Sequence, residues 1–157
     1  MPKPFDISKL TEEDIAALSR MVYGEAAGAD ENTMRMITQT ALNRLRSGRT
    51  KEFGGDMPRV LKKGYYAVSN PNQPYRQALT GAFNDELSKN KWLQAQNTVR
   101  DVIKRQDFGQ AQFYFTPNEI ERMRKQGGFD FSQVMPTGVV GNYQTFSYPE
   151  QASHYRR

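Results

Sequence analysis

A pair of amphipathic helices joined by a very short connection opens the sequence and limits the folds that it can adopt. Ile15, Leu18 and Val22 repeat at the spacing of one helix face. We predict one helix over residues 11–28 and a second over residues 30–48, because each range starts at a capping residue and ends at a glycine. Helices with so short a connection should pack as neighbours.

Glu25 lies on the apolar side of the first predicted helix, at the elbow between the two. At roughly 100° per residue it falls within about 60° of both Leu18 and Val22, so its carboxyl should face the core. Burial disfavours the charged form and should raise the pKa, as a general acid near neutral pH requires. A second interpretation is open: a helix-end glutamate that is satisfied by a backbone amide or an arginine.

The composition indicates one globular domain that spans residues 1–157. Hydrophobic residues make up 37% of the chain and charged residues 25%, and there is no cysteine. Disulfides, thiol nucleophiles and cysteine metal sites are therefore excluded. The net charge of +5 favours a polyanionic partner such as nucleic acid, an anionic membrane surface or an acidic cell-wall polymer. The basic residues are scattered, so the charge does not choose among these partners.

The first residues lack an apolar signal segment, and no later stretch is apolar enough to span a bilayer. We therefore expect synthesis in the cytoplasm, without a signal peptide or a transmembrane segment. If the protein acts outside the cytoplasm, another agent must carry it there.

The rest of the chain mixes helices with short strands. Residues 49–74 are rich in glycine, proline and asparagine and are predicted to form a long loop with aromatic and amide side chains. Trp92 could stack on a sugar ring, but its helical spacing favours the core. The further predicted elements are helices over 75–87 and 92–103, a strand over 111–115, a helix that starts at 116–119 and a strand over 139–148. The strands should pair, giving a mainly helical α+β fold with a small antiparallel sheet.

The polar residues leave few kinds of catalysis open. His154 is the only histidine, which argues against a Ser-His-Asp or Cys-His arrangement and against multi-histidine metal sites. No phosphate-binding loop or cation-binding acidic cluster is present, so no cofactor is expected. One protonated carboxylic acid among aromatic and amide groups suits the cleavage of a glycosidic bond. Ordinary hydrolysis usually needs a second carboxylate, and no pattern singles one out among these four acids: Asp30, Glu31, Glu52 and Asp56.

Several short segments, taken together and in order, resemble the motifs of a known family. The first predicted helix contains Tyr23-Gly24-Glu25-Ala26, and the second contains Asn43-Arg44. The later segments are Leu61-Lys62 with Tyr66, then Asn70-Pro71-Asn72, residues 111–117 and residues 140–146. In this order they resemble the motifs of the cell-wall hydrolases related to spore cortex-lytic enzymes. The resemblance covers roughly residues 15–147.

The resemblance implies a lytic transglycosylase that cleaves peptidoglycan between N-acetylmuramic acid and N-acetylglucosamine. Glu25 aligns with the catalytic glutamate, which first gives a proton to the glycosidic oxygen. It then takes one from the muramic acid 6-hydroxyl, so that a 1,6-anhydro end forms and no second carboxylate is needed. The implied fold is a lysozyme-like domain whose small sheet flanks a substrate groove. The candidates to line the groove are Tyr23, Tyr66, Asn70, Asn72, Tyr114 and Tyr143.

The chain departs from the family pattern at four positions around the acid. Tyr66 replaces the usual phenylalanine, and Ala67 replaces a residue that is often small and hydroxylated. Phe113 and Tyr143 stand where relatives commonly carry histidine. These departures put rate and substrate preference in question more than the class of reaction.

Three functions remain open from the sequence. The first is the transglycosylase, with peptidoglycan strands as substrate and delivery by a phage virion, by lysis or by an export machinery whose proteins would be partners. The second is a non-catalytic peptidoglycan-binding or virion structural protein on a hydrolase-derived fold, which the altered groove residues favour. The third, a nucleic-acid-binding module, rests on the charge alone, and we expect no nucleic-acid partner.

Overall fold

The structure is a computed structural model that describes residues 4–26 and 28–150. His154, the only histidine, lies outside these residues. The helices of the described ranges are α1 (Glu12–Ala26), α2 (Glu31–Arg46), α3 (Thr50–Phe53), α4 (Met57–Gly64), α5 (Tyr66–Ser69), α6 (Gln73–Thr80), α7 (Glu86–Arg105) and α8 (Pro117–Gln126). The strands are β1 (Phe113–Phe115), β2 (Met135–Val140) and β3 (Tyr143–Ser147). The predicted α+β class, mainly helical with a small antiparallel sheet, is confirmed.

Local capping chemistry starts the helices where the sequence predicts. At α1 the Thr11 hydroxyl accepts from the Asp14 amide at 3.1 Å, and the Asp14 carboxylate accepts from the Thr11 amide at 3.1 Å. The Asp30 carboxylate caps α2 by accepting from the Thr33 amide at 2.9 Å. A full capping box starts α8 at Thr116. The prediction that the first two helices pack as neighbours is confirmed, because α1 and α2 are in contact.

The region predicted as one long loop contains three whole helices, α3, α4 and α5, and the first two residues of α6. Asp56 caps α4 by accepting from the Arg59 amide at 3.0 Å. The helices α3 and α5 have four residues each. Helices this short are unstable alone and form only when the rest of the fold supports them, so a local pattern does not reveal them.

The helix predicted over residues 75–87 is divided. α6 ends at Gly81, which has a left-handed backbone with φ of 75°. Leu87 belongs instead to α7, and both Leu79 and Leu87 are exposed. The apolar residues keep a helical spacing over residues 75–87 although the helix ends between them, and this spacing made two helices look like one.

The sheet is antiparallel with the order β1-β3-β2. The predicted pairing of the two strands is confirmed, with Tyr114 opposite Thr145. The single strand predicted over residues 139–148 is instead part of a hairpin, because the chain turns after Val140. Its other arm, β2, contains Pro136 and Gly138 beside a register irregularity. Proline is tolerated there because β2 is an edge strand.

Two apolar clusters hold these elements together. The larger lies among α1, α2, α4, α6 and α7 and includes fully buried Leu18, Met34 and Leu42. Trp92 packs against this core, and its ring lies 5.7 Å from that of Tyr23, so its predicted core position is confirmed. The smaller cluster lies beside the sheet and is almost entirely aromatic; its buried members are Phe53, Phe113, Phe146 and Tyr148. No helix of the described ranges is both long and apolar enough to cross a membrane.

Candidate active site

Glu25 is the second-last residue of α1, and its side chain meets the start of α5. The Ala67 amide donates to Glu25 Oε1 at 3.2 Å, and the Tyr66 amide also donates to this carboxyl. The residue is half-buried. Both interpretations made from the sequence therefore describe part of what is found, because the carboxyl is partly buried and also accepts from backbone amides.

The surroundings favour the protonated form of Glu25. Burial raises its pKa, the Ala67 and Tyr66 amides and the Arg44 charge act in the opposite direction, and the net result is a pKa above the ordinary value. Among the residues that the structure describes, none forms an ion pair with Glu25. A carboxyl in this state can hold a proton and release it to a bound group.

Two tyrosines lie near the acid, of which Tyr65 is buried and Tyr114 is partly buried. The Tyr65 hydroxyl is within 2.8 Å of Thr40 Oγ1, and Tyr114 contacts Tyr143 edge-to-face with ring centroids 5.3 Å apart. Burial raises the pKa of both Tyr65 and Tyr114, and the charge of Glu25 raises it further. Both phenols are therefore neutral hydroxyls at neutral pH and can donate a hydrogen bond.

Arg44 supplies a positive charge on the same side of the molecule. Its Nε donates to the Gln112 carbonyl at 2.7 Å. Its guanidinium lies over aromatic rings, at 4.9 Å from the centroid of Tyr65 and 5.2 Å from that of Phe113. No described carboxylate pairs with it, so its charge remains available to a ligand.

Asn43, the neighbour of Arg44, positions the first strand. It is fully buried, and its Nδ2 donates to the Phe108 carbonyl at 2.8 Å and to the Ala111 carbonyl at 2.9 Å. The Asn-Arg pair therefore fixes three carbonyls of residues 108–112 to α2, immediately before β1. This attachment carries Tyr114 to the side of Glu25.

The contact between α1 and α5 depends on Gly24. A methyl group at this position would meet Cβ of Ala67 and Cβ of Tyr75, both at 3.1 Å. Asn72 attaches α6 to the same glycine, since its Nδ2 donates to the Gly24 carbonyl at 2.8 Å. Its Oδ1 accepts from the Tyr75 amide at 2.9 Å and so caps α6. One polar atom of Asn72, a predicted groove residue, thus holds α6 to α1, and the other starts α6.

The other predicted groove residues divide into two groups. Tyr66, which is 76% exposed, and Asn70, which is also exposed, lie on α5 and at its end, next to Glu25. Tyr114 and Tyr143, on β1 and β3, contact each other edge to face. Tyr23 differs from the prediction: it is 2% exposed and donates to the Ser88 carbonyl at 3.3 Å. Two residues along a helix turn a side chain by about 200°, so Tyr23 points away from Glu25.

None of the four candidates for a second carboxylate is a free acid in the structure. Asp30 and Asp56 cap helices, and Glu31 pairs with Arg35 at 3.1 Å. Glu52 accepts from the Tyr148 hydroxyl and pairs with Arg49. No group of three or more metal-ligating side chains occurs within residues 4–26 and 28–150. The arrangement therefore offers acid–base chemistry through one carboxyl, Glu25.

The sequence indicated Glu25 but not its closest partners. Tyr65 was missed because a buried tyrosine in a supposed loop has no distinguishing pattern. Arg44 was part of a motif, yet its place against three aromatic rings depends on α3, on the end of α4 and on β1. Comparison of the chain with models of protein families, with curated proteins and with solved structures finds no match.

Proposed function

We propose that this protein is a peptidoglycan lytic transglycosylase in which Glu25 acts first as the general acid and then as the general base. The observation that carries the proposal is the state of Glu25: a half-buried carboxyl with a raised pKa, unpaired among the described residues and next to neutral tyrosine hydroxyls. Such a group is suited to protonating a leaving oxygen near neutral pH.

The proposed reaction needs only this one carboxyl. The Glu25 carboxyl gives its proton to the glycosidic oxygen, and the bond from that oxygen to C1 of the muramic acid breaks. The oxygen leaves as a hydroxyl of the next sugar. The Glu25 carboxylate then takes the proton of the C6 hydroxyl, and the C6 oxygen forms a bond to C1 of the same muramic acid. No water is consumed, and Glu25 ends protonated, ready for another cycle.

We further propose that the glycan lies in a lysozyme-like groove between α5 and the sheet. Tyr66 and Asn70 would contact it from one side, and Tyr114 and Tyr143 from the other. Aromatic faces and amide groups are suited to sugars, because rings cover their apolar faces while amides bind their hydroxyls. The amides of Tyr66 and Ala67 hold the Glu25 carboxyl in place while the proton moves.

One observation favours a second candidate, a peptidoglycan-binding or virion structural protein without activity. Glu25 accepts from the first amides of α5, so its role could be to cap that helix. On this reading Glu25 stabilises α5, and the protein binds the wall without cleaving it. Co-sedimentation with purified sacculi, without release of soluble product, would support this candidate.

Mass spectrometry of sacculus digests tests the proposal. We expect the released muropeptides to be lighter by one water than the products of a hydrolysing muramidase, because the 6-hydroxyl replaces water. Reducing ends in place of anhydro ends would contradict transglycosylation but leave Glu25 as the acid. Soluble product released equally by the Glu25→Gln variant would remove Glu25 from the mechanism.

A further inference from the structure

A cavity of about 450 Å³ is lined by Arg44, whose charge also acts on Glu25. Phe53, Phe113 and Phe129 supply apolar walls, and Arg44 and Lys63 supply positive charge. Phe113 precedes Tyr114 on β1, and neighbouring residues of a strand point to opposite faces. The cavity therefore lies on the face of β1 opposite Tyr114, and Glu25 does not line it, so it suits a side branch of a ligand rather than the bond that is cleaved.

The Arg44 guanidinium is only partly used by the protein. Nε donates to the Gln112 carbonyl at 2.7 Å, and Nη1 has a long contact of 3.5 Å with the Gly64 carbonyl. No acceptor for Nη2 occurs in the described part of the chain. The three rings that surround the guanidinium hold it in position, so little freedom is lost when it binds a ligand.

The other charges at the cavity leave it positive. Lys63 Nζ donates to the Lys51 carbonyl at 2.8 Å, a neutral acceptor, and it pairs with no carboxylate of the described residues. Glu52 is the acid of the lining, and its two oxygens already accept from Tyr148 and Arg49. Two cations thus face the cavity against one carboxylate, whose oxygens already accept from Tyr148 and from Arg49, so the lining keeps a net positive charge.

A glycine makes room for the guanidinium. A Cβ at residue 64 would clash with Arg44 Nη1, so Gly64 permits the observed position of Arg44. Gly64 ends α4, and residue 66, two positions later, supplies an amide to Glu25. The cavity and the acid are therefore built on the same short stretch of chain.

We propose that this cavity binds a carboxylate on the peptide branch of the glycan, with Arg44 and Lys63 as the residues that hold it. The proposal rests on the function proposed above, because it names the part of that substrate which the cavity takes. A planar guanidinium suits a carboxylate, and the phenylalanine walls suit the alkyl chain that carries it. Binding there would place the sugar that bears the peptide at Glu25.

A short peptide tests the cavity without any glycan. The probe is N-acetyl-alanyl-D-glutamate with its C terminus blocked as an amide, and its neutral control is the same dipeptide with D-glutamine. Titration followed by amide NMR should show shifts at Gly64 and Phe113, with the glutamate probe bound at least about tenfold more tightly than the control, as expected for a charge-assisted hydrogen bond. Equal binding of the two dipeptides, or shifts confined to other surfaces, would overturn the proposal.

Three variants assign the effect to the cavity. Lys63→Gln should weaken binding of the glutamate probe about threefold, the scale of an exposed ion pair. Lys62→Gln is the matched control, because it removes the same charge from the neighbouring exposed residue, which does not line the cavity. Gly64→Ala keeps every charge but displaces the guanidinium, and should weaken binding about tenfold. Equal effects of the two lysine variants, or unchanged binding by Gly64→Ala, would contradict the assignment.

Two further measurements ask which anion the cavity prefers and whether the cavity assignment stands if the catalytic proposal fails. Inorganic phosphate that binds more tightly than the glutamate probe would overturn the assignment to a peptide carboxylate. The dipeptide titration does not depend on Glu25, so it is repeated on Glu25→Gln. Unchanged binding by that variant, together with undiminished release of muropeptides, would mean that the catalytic proposal fails while the cavity assignment stands.

Discussion

Glutamates lie in two contrasting settings in this protein. Glu25, at the end of α1, is half-buried and accepts from the backbone amides of Tyr66 and Ala67. Glu52 and Glu150 lie near the aromatic cluster beside the sheet, and both pair with Arg49. The contrast shows two ways to accommodate a carboxyl in a folded chain, and the pKa values of Glu25 and Glu150 are moved in opposite directions.

The pKa values follow the partners. Burial, with amides as the direct partners, leaves the pKa of Glu25 raised. Burial acts on Glu150 in the same sense, but the hydrogen bond and charge of Arg49 outweigh it and hold the pKa of Glu150 below its ordinary value. A lowered pKa makes a poor proton donor at neutral pH, so only the first setting suits general acid catalysis.

The largest expected effect is on catalysis. Glu25→Gln should reduce the release of anhydro-muropeptides by at least about 10³-fold, because the amide cannot donate the proton that the leaving oxygen needs. Glu150→Gln is the matched control, since it makes the same change at an acid outside the candidate site, and should stay within about twofold. The assay is chromatography of soluble products from purified sacculi. A comparable loss in both variants would show that the contrast between the two settings does not govern activity.

The next effect is on Asn43, which attaches to α2 the segment before β1, the strand that carries both Phe113 of the aromatic cluster and Tyr114. Asn43→Ala should lower the free energy of unfolding by about 3 kcal/mol, because it leaves two buried carbonyls without their donor and removes the attachment of β1 to α2. Urea unfolding measures this loss. Since β1 carries both Phe113 and Tyr114, the native fluorescence of Trp92 and the activity should be lost together, at a lower urea concentration than in the wild type. A loss below about 1 kcal/mol would contradict this role of Asn43.

Stability should then respond to pH in opposite ways at the two acids. The raised pKa of Glu25 means that its contribution to stability is present at low pH and is lost as the pH rises through that pKa. Glu25→Gln should therefore be more stable than the wild type at pH 7, by about 1 kcal/mol or about 3 °C in Tm, with the advantage shrinking in acid.

The lowered pKa of Glu150 gives the reverse sign. Its stabilising contribution is present above the ordinary pKa of a glutamate and is lost as the pH falls through the lowered pKa. Glu150→Gln should be less stable by about 0.5 kcal/mol at pH 7, and the difference should vanish in acid. Thermal melts of the wild type and both variants from pH 3 to pH 8 measure how each difference in stability changes with pH. Differences of the same sign for the two variants would contradict the contrast between the two acids.

The smallest effect concerns only the carboxylates that pair with Arg49, and it is a change in the pKa of Tyr148, which donates to Glu52. Burial, together with the hydrogen bond and charge of Glu52, raises the pKa of Tyr148 to about 12. Glu52→Gln removes the charge and should move the pKa of Tyr148 toward its ordinary value. Ultraviolet titration at the tyrosinate band, with Tyr148→Phe to identify the signal, measures the shift. An unchanged titration would mean that Glu52 does not control this phenol.

Features set by local chemistry could be predicted from the sequence. Thr11, Asp30 and Thr116 start helices because a side-chain oxygen satisfies an amide within the next few residues, and all three starts were predicted. Glu25 was placed toward the core by helical spacing alone. The pairing of β1 with β3 followed from two short apolar stretches.

Features set by the assembled fold could not be predicted in this way. The helices α3 and α5 form in a stretch rich in turn residues, where contacts with the rest of the fold must replace local preference. Pro136 and Gly138 concealed β2, since both usually interrupt strands. Arg44 meets Tyr65 and Phe113 only after residues distant in sequence come together, so the surroundings of Glu25 required the structure.

The absence of a side chain at residue 24 has a consequence for acidity. A methyl group at this position would meet Cβ of Ala67 at 3.1 Å, so that α5 would have to move by a few tenths of an ångström, and the Ala67 amide that donates to the Glu25 carboxyl would move with it. The proton affinity of Glu25 thus depends in part on a neighbour that carries no functional group at all, and an added methyl group there should change it.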